Sequence, residues 1–310
     1  MTPNYTSPGR QVSRFDGSGD PNRLLLLMAR HDNLWVGLGD HIASLPVIYE
    51  LRRLGYELTV YATPFVQELY ERAGCEFIPA ENIRPGLTED SLTTFGSVYW
   101  LCEWSLDEKI AADGAGLTNF TDLFASFFGI TAPPSFDYPT ALGFAVDESI
   151  DERAVIYAPT ASSPERDLAS AGYIHRRLNR EYGVVWLGAG QTMFGSLPEL
   201  ISTVGNARGV FCVDTGIVHV AMALNVPTFA VFGPSDPFTI LGQYDRYSSG
   251  PRMVVLSAPN DKGCTAPCSK RYSRGWNQGG RCDDYSRCMI DAKPDELLTS
   301  FSIFLTNKES

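Results

Sequence analysis

The feature that most constrains this chain is an alternation of short, unbroken apolar runs with segments of helical spacing, and it occurs twice. In the first stretch Arg23–Ala29 reads as a strand apolar on both faces. A segment with Ile42, Leu45, Ile48, Leu51 and Leu54 on one helical stripe follows, then a strand at Leu58–Ala62, a helix at Pro64–Ala73 and a strand at Cys75–Ile78. Pro46 falls inside the stripe and must sit in a first helical turn or kink the helix. The second stretch gives strands at Ala154–Ala158, Val184–Leu187, Val210–Val213 and Thr228–Phe232, with helices at Glu165–Tyr182, Leu197–Val204 and Ile217–Asn225 between them. Strands apolar on both faces belong to parallel sheets covered by helices. The order therefore predicts an α/β fold of two Rossmann-like, doubly wound domains.

Between the two stretches, Tyr99–Trp104 is apolar enough to be buried and Leu117–Phe128 has an amphipathic helical pattern. The Pro-rich segment at Ala132–Ser135 and the acidic one at Asp147–Glu152 read as linker. The expected organisation is a loose tail over 1–20, an N-terminal domain over 21–148, a C-terminal domain over 149–292 and a closing helix over 293–310. That last helix starts with Pro294, Asp295 and Glu296, as helix starts favour.

Composition narrows the function classes. Of 310 residues 44% are hydrophobic and 20% charged, which suits globular cores and excludes a disordered or collagen-like chain. A net charge of −11 argues against a whole-surface footprint for nucleic acid. The apolar stretches at Leu24–Ala29 and Val218–Phe232 do not amount to a membrane span, because the first is short and His219, Asn225 and Pro227 break the second. The first twenty residues lack the apolar core of a signal peptide, so the expectation is a soluble, cytoplasmic protein. Seven cysteines are too few and too odd in number for a disulfide scaffold. Cys75, Cys102 and Cys212 lie in or near apolar runs and read as small buried hydrophobes.

The strongest local signal is Cys212-Val213-Asp214-Thr215-Gly216-Ile217-Val218-His219, continuing to Pro227. A buried strand ends at Asp214, a small turn follows, and a helix of small residues begins. The free N–H groups at such a helix start, aided by the macrodipole, suit an anion. Thr215 adds a hydroxyl, and Gly216 permits close approach. Asp214 either caps the helix or binds a ligand hydroxyl. His219 lies one turn on, within reach of a ligand or held as a structural histidine. A second glycine turn, Gly188-Ala189-Gly190, ends the next strand, where a sugar or base commonly sits. Neither half has Gly-x-Gly-x-x-Gly after its first strand, which disfavours a dinucleotide-dependent oxidoreductase.

The run from 209 to 237, with Asp214-Thr215-Gly216, His219 and then Phe232-Gly233-Pro234-Ser235-Asp236-Pro237, resembles the pyrophosphate-binding segment of the heptosyltransferases, glycosyltransferase family 9. Gly39-Asp40, Pro46 and Leu51-Arg52 resemble that family's first motif. The resemblance implies a GT-B architecture, with two Rossmann-like domains facing across a cleft. The C-terminal domain would hold a nucleotide-sugar donor and the N-terminal one a hydroxyl-bearing acceptor. It further implies an inverting single displacement that requires no cofactor. Asp40 would be the carboxylate base, His41 would lie with the acceptor, and Asp214, Thr215, Gly216 and His219 would hold the donor with Gly188. The residues themselves leave Asp40 open as a helix cap. Thr160, Ser162 and Ser163 stand in a loop where the family carries hydroxyl residues and then a lysine. Here Arg166 is the only nearby cation, serving a phosphate or exposed on a helix. That departure motivates a second reading, a nucleotide-sugar-binding protein with little or no transferase activity.

Cys264, Cys268, Cys282 and Cys288 form a cluster whose spacing departs from paired zinc knuckles. Structural zinc, redox-labile thiols and plain structural cysteines all stay open. Between Lys262 and Arg287 lie six Lys/Arg and two Asp, with Tyr272, Trp276 and Tyr285 interleaved. Lys270, Arg271 and Arg274 would grip an anionic acceptor, whether a phosphorylated glycan or nucleic acid, or else form a solvated loop.

Overall fold

The computed structural model describes residues 15–16, 19–28, 37–80, 94–100, 119–145, 154–161, 166–188, 194–257 and 287–307. The chain divides into two compact units, 1–136 and 137–310. Each is built on a five-stranded sheet, and the expected α/β class of two Rossmann-like units is the one observed.

In the first unit the strands are β1 (Phe15–Asp16), β2 (Asp20–Leu27), β3 (Glu57–Ala62), β4 (Glu76–Pro79) and β5 (Phe95–Trp100), in the order β1-β5-β2-β3-β4. Four of them are parallel, and β2 pairs with β3 through Leu25↔Thr59 and with β5 through Leu25↔Val98. The fifth corrects the sequence reading. Phe15 and Asp16, expected in a loose tail, pair antiparallel with Val98 and Ser97. Leu24, Leu25, Leu26 and Met28 are buried because this strand is covered on both faces.

Helix α1 (Leu38–Arg53) follows β2 and buries Ile42–Ile48 and Leu51. Pro46 lies well inside it, neither in the first turn nor at a break. A proline there removes one N–H and crowds the preceding turn. The carbonyl that loses its helical donor is that of Ile42, and the carbonyls on either side of it also accept from side chains: the Thr121 hydroxyl bonds Ala43 O at 2.7 Å, and the Ser44 hydroxyl bonds His41 O at 2.7 Å. Thr121 comes from α3 (Phe120–Phe127), whose start is capped by the Asn119 side chain accepting from Asp122 N. Between them, a 3-10 turn at Pro64–Val66 leads into α2 (Gln67–Arg72), so the helix read over Pro64–Ala73 is present with its proline at the start.

The second unit begins with α4 (Tyr138–Leu142). The linker cues placed the boundary later, at 148/149. Tyr138 explains the difference, since it is fully buried and its ring lies 5.4 Å from that of Tyr244 in the second unit. The sheet contains β6 (Val155–Ala158), β7 (Val184–Trp186), β8 (Gly209–Val213), β9 (Thr228–Phe232) and β10 (Arg252–Leu256), all parallel, in the order β10-β9-β8-β6-β7. The helices are α5 (Ala171–Glu181), α6 (Leu197–Gly205), α7 (Gly216–Ala223), α8 (Pro237–Leu241), α9 (Tyr244–Tyr247), α10 (Arg287–Ile290) and α11 (Pro294–Thr306). The helix read over Glu165–Tyr182 therefore starts later, at Ala171, and Arg166 precedes it. The closing helix α11 belongs to this unit's core: Phe301 is fully buried, with its ring 5.3 Å from Phe211 and 5.7 Å from Phe229. Burying such a ring contributes about 1.5–3 kcal/mol.

Candidate functional site

In an open parallel sheet, ligands bind beyond the carboxyl ends of the strands where the strand order reverses. In the second unit β6 is the first strand, and it lies between β7 and β8, so the reversal falls between β6 and β8. The chain leaving β6 runs through Pro159 and Thr160, and the chain leaving β8 runs through Asp214, Thr215 and Gly216. Thr160, Asp214, Thr215 and Gly216 thus stand at one topological position.

Thr215 is the N-cap of α7, in extended conformation, and its side chain makes no capping bond. Among the described residues four other helices are closed by their caps: Asn119, Asp137, Ser196 and Asp236 each accept from backbone N–H groups at the starts of α3, α4, α6 and α8. Thr215 and Gly216 are half-buried, and α7 is buried from Val218 to Ala223. Gly188 follows β7 with φ +148, and a Cβ there would overlap the Thr160 hydroxyl. Glycine is thus required both for its conformation and for the close approach of these two loops.

Asp214 is not the helix cap, because that position belongs to Thr215. Its carboxylate is buried. Oδ2 accepts from the Ser235 hydroxyl at 2.6 Å and lies 3.2 Å from Arg166 Nη1, which also donates to the Asp214 carbonyl at 3.0 Å. Arg166 is only 8% exposed. The alternative in which it is a solvated helix residue is therefore overturned, because its guanidinium turns inward to a buried carboxylate. In the sequence Ser235 stands only as part of the longer run from Phe232 to Pro237. The signal for it was that run's position directly after a fully buried strand, β9.

His219 is buried, with Nδ1 3.1 Å from the Tyr244 hydroxyl. Burial pushes its pKa down to about 4, with nearby Asp214 opposing and Arg166 reinforcing the shift. The ring is neutral at pH 7. Because the unfolded ring titrates near 6.5, the unfolded state takes up the proton first as pH falls. Stability from His219 is complete above about pH 6.5 and is lost progressively down to pH 4, by on the order of 3 kcal/mol. Melting temperatures of wild type and His219→Gln should therefore converge as pH drops from 7 to 4. A constant gap across that range would contradict a neutral, buried His219.

In the first unit Asp40 is the third residue of α1, not the cap of a helix beginning at His41. Its Oδ2 accepts from Gly37 N at 3.1 Å and its own N–H donates to Gly37 O at 3.0 Å. It is half-buried and follows β2, the strand flanked by β5 and β3 where this sheet's order reverses. His41, expected at the acceptor, is fully buried instead, with Nδ1 2.6 Å from the Tyr70 hydroxyl. Successive residues on a helix point about 100° apart, enough to carry His41 into the core while Asp40 stays half-exposed.

Ser162, Ser163, Lys270, Arg271, Arg274, Cys264, Cys268 and Cys282 lie outside the described residues. Cys288 is buried, and a Cβ at Gly233 would press on its sulfur. Among the described residues no group of three or more His, Cys, Asp or Glu is placed to hold a metal, and no helix is long and apolar enough to cross a membrane.

The sequence model of glycosyltransferase family 9 (heptosyltransferase) matches residues 154–270. Lipopolysaccharide heptosyltransferase 1 of Pseudomonas aeruginosa is 42% identical over 77 residues, which are 24% of this chain and 19% of that relative's length. The iron-containing dodecameric glycosyltransferase TibC from enterotoxigenic E. coli H10407 aligns in structure with a TM-score of 0.60 at 13% identity, covering 95% of this chain and 78% of that one. The family 9 glycosyl transferase from Veillonella parvula aligns with a TM-score of 0.55 at 13% identity, covering 97% of this chain and all of that one. These likenesses extend over nearly the whole chain and assign it the GT-B fold. The stretch matched by the family 9 model, residues 154–270, contains the run from 209 to 237 that carries the sequence resemblance.

Proposed function

We propose that the chain is an inverting glycosyltransferase that moves a sugar from a nucleotide-sugar donor to an acceptor hydroxyl in a single displacement. The observation that carries this reading is the uncapped start of α7 at the point where the β6–β7–β8 order reverses. Uncapped N–H groups at Thr215–Gly216 face the end of a parallel sheet, where an anion is stabilised by the helix dipole. As the glycosidic bond breaks, charge grows on the departing diphosphate, so donors already fixed around it lower the barrier. Thr160 and Gly188 border the same place, and Ser162 and Ser163 are assigned to it from their position in sequence. The domain boundary used here is 136/137, with the donor held by the second unit and the acceptor by the first.

Asp40 is assigned as the base that takes the acceptor proton. It is half-buried, it follows β2, the central strand of its sheet, and it lies in the first turn of a helix. Lys270, Arg271 and Arg274 are assigned to an anionic acceptor on the strength of local charge. His219, one turn along α7, is assigned to the donor as well.

Gly216→Val tests the donor site. A branched side chain at the first residue of α7 keeps a phosphate from its N–H groups while leaving the helix able to form. Losing one charge-assisted hydrogen bond costs about 1.5–3 kcal/mol, roughly a ten- to hundredfold rise in Kd. Calorimetry with the best-binding nucleoside diphosphate should show that rise. Unchanged affinity would move the nucleotide elsewhere.

A further inference from the structure

A neutral histidine carries one N–H and one lone pair, and its two ring nitrogens exchange these roles between tautomers. Beside a diphosphate the choice decides the sign of the contact, since an N–H attracts the anion and a lone pair repels it. Burial keeps the His219 ring neutral at pH 7. Its tautomer is then set by the partner of Nδ1. That partner is the Tyr244 hydroxyl, 3.1 Å away, with the ring centroids 5.7 Å apart and edge to face. Burial pushes the Tyr244 hydroxyl far up as well, so it keeps its own proton. A hydrogen bond from Gln243 opposes that shift, and the phenol oxygen accepts it. A phenol O–H is a stronger donor than an imidazole N–H, and an imidazole nitrogen accepts better than a phenol oxygen. The shared proton therefore lies on Tyr244, and Nδ1 accepts.

The hydroxyl is aimed by a helix tied to α7. Tyr244 is fully buried and opens α9, and its ring lies 5.4 Å from that of Tyr138. At the far end of α9 the Ser248 hydroxyl donates to Met222 O at 2.7 Å, in the last turn of α7. Just beyond α7, Asn225 Oδ1 accepts from Ser249 N at 2.8 Å and from Gly250 N at 3.0 Å. Helix α9 is thus fastened to the far end of the helix whose first turn carries His219.

We infer that Tyr244 is a positioning residue for the donor site: its hydroxyl donates to His219 Nδ1 and fixes the ring as the Nε2–H tautomer, so that His219 offers the diphosphate an N–H and not a lone pair. With Nδ1 bonded to Tyr244, Nε2 is the nitrogen through which His219 serves a ligand. Tyr244 itself need not touch the donor. The inference rests on the donor-site reading above, and it adds a residue and a role that reading does not contain.

The test joins nitrogen-15 spectra of histidine-labelled protein to calorimetric titration with ADP, GDP, UDP and CDP. Comparison with His219→Gln identifies the signals of His219 among the four histidines. In wild type its Nδ1 should be unprotonated and its Nε2 protonated, and the tightest-binding diphosphate should move the Nε2 signal more than the Nδ1 signal. Tyr244→Phe keeps the ring and removes the hydroxyl. It should leave a mixture of tautomers and weaken that diphosphate about tenfold, the equivalent of one ordinary hydrogen-bond change. In a His219→Ala background, Tyr244→Phe should change Kd by less than about twofold, because the phenol then has no ring to fix. If either variant fails to fold, the wild-type spectra decide. Wild-type His219 protonated on Nδ1 would overturn the inference and leave the donor site at α7 in place. So would a Tyr244→Phe protein that melts lower yet binds the diphosphate as wild type does, since the hydroxyl would then be purely structural. Wild type binding none of the four diphosphates would overturn the donor-site reading and this inference with it.

Discussion

Asp40→Asn should lower turnover by about 10²–10⁴-fold, the span usually lost with a general base, while donor affinity changes little. The choice of asparagine matters because it separates the proposed role of Asp40 as base from its contact at the helix start. Its Oδ2 accepts from Gly37 N at the start of α1, a capping interaction worth about 0.5–2 kcal/mol. An asparagine oxygen can accept the same bond, so the helix start survives and only the proton-accepting charge is lost. Asp40→Ala removes both and should add a drop in melting temperature to the same kinetic loss. Initial-rate kinetics with circular dichroism melts on both variants resolve the two contributions. A folded Asp40→Asn enzyme with near-normal turnover would reduce Asp40 to its capping role.

The second large effect is on stability. Arg166 and Asp214 form an ion pair whose side chains are 9% and 6% exposed. Breaking such a pair leaves an uncompensated charge in a poorly solvated place, and the usual cost is about 3–5 kcal/mol. Arg166→Met should therefore lower the melting temperature by roughly 6–20 °C, at about 2–4 °C per kcal/mol for a unit of this size. Removing both charges in Arg166→Met/Asp214→Leu should recover much of that loss, since neither charge is then left alone. A differential scan of the two variants decides the matter. An Arg166→Met protein as stable as wild type would mean that the guanidinium serves a ligand and not the fold. Arg166→Lys should fall between the two, because an ammonium keeps the charge but is more strongly hydrated and less suited to a buried pair than a guanidinium.

Strands were the most legible part of this sequence. Thr228–Phe232 and Val155–Ala158 are unbroken apolar runs ended by polar or turn residues, and burial on both faces leaves no other way to read them. The strand Arg252–Leu256 escaped notice because it lies at a sheet edge, where no residue is fully buried and the apolar run is short. Helix α4 escaped for a different reason. Asp137, Pro139 and Gly143 look like linker, yet Asp137 accepts from Thr140 N as a cap and Gly143 ends the helix with φ 66. The same residue types serve turns and caps, and only Tyr138's partner Tyr244, distant in sequence, tells them apart.

The candidate site was legible where its residues are consecutive. Asp214-Thr215-Gly216 reads as a strand end and helix start from local pattern alone, and it is one. The pairing of Arg166 with Asp214, and of Ser235 with the same carboxylate, spans forty-eight and twenty-one positions in sequence. Local spacing carries no trace of such contacts. His41 is expected at the acceptor from its place beside Asp40, and nothing local shows that Tyr70, twenty-nine positions on, holds its ring in the core.

The measurement that bears most directly on the central claim is a crystal structure of the chain with its tightest-binding nucleoside diphosphate. The expected result is a diphosphate at the carboxyl ends of β6 and β8, accepting hydrogen bonds from the first-turn N–H groups of α7 at Thr215 and Gly216. A diphosphate bound in the first unit, or one in the second unit away from the start of α7, would contradict the account.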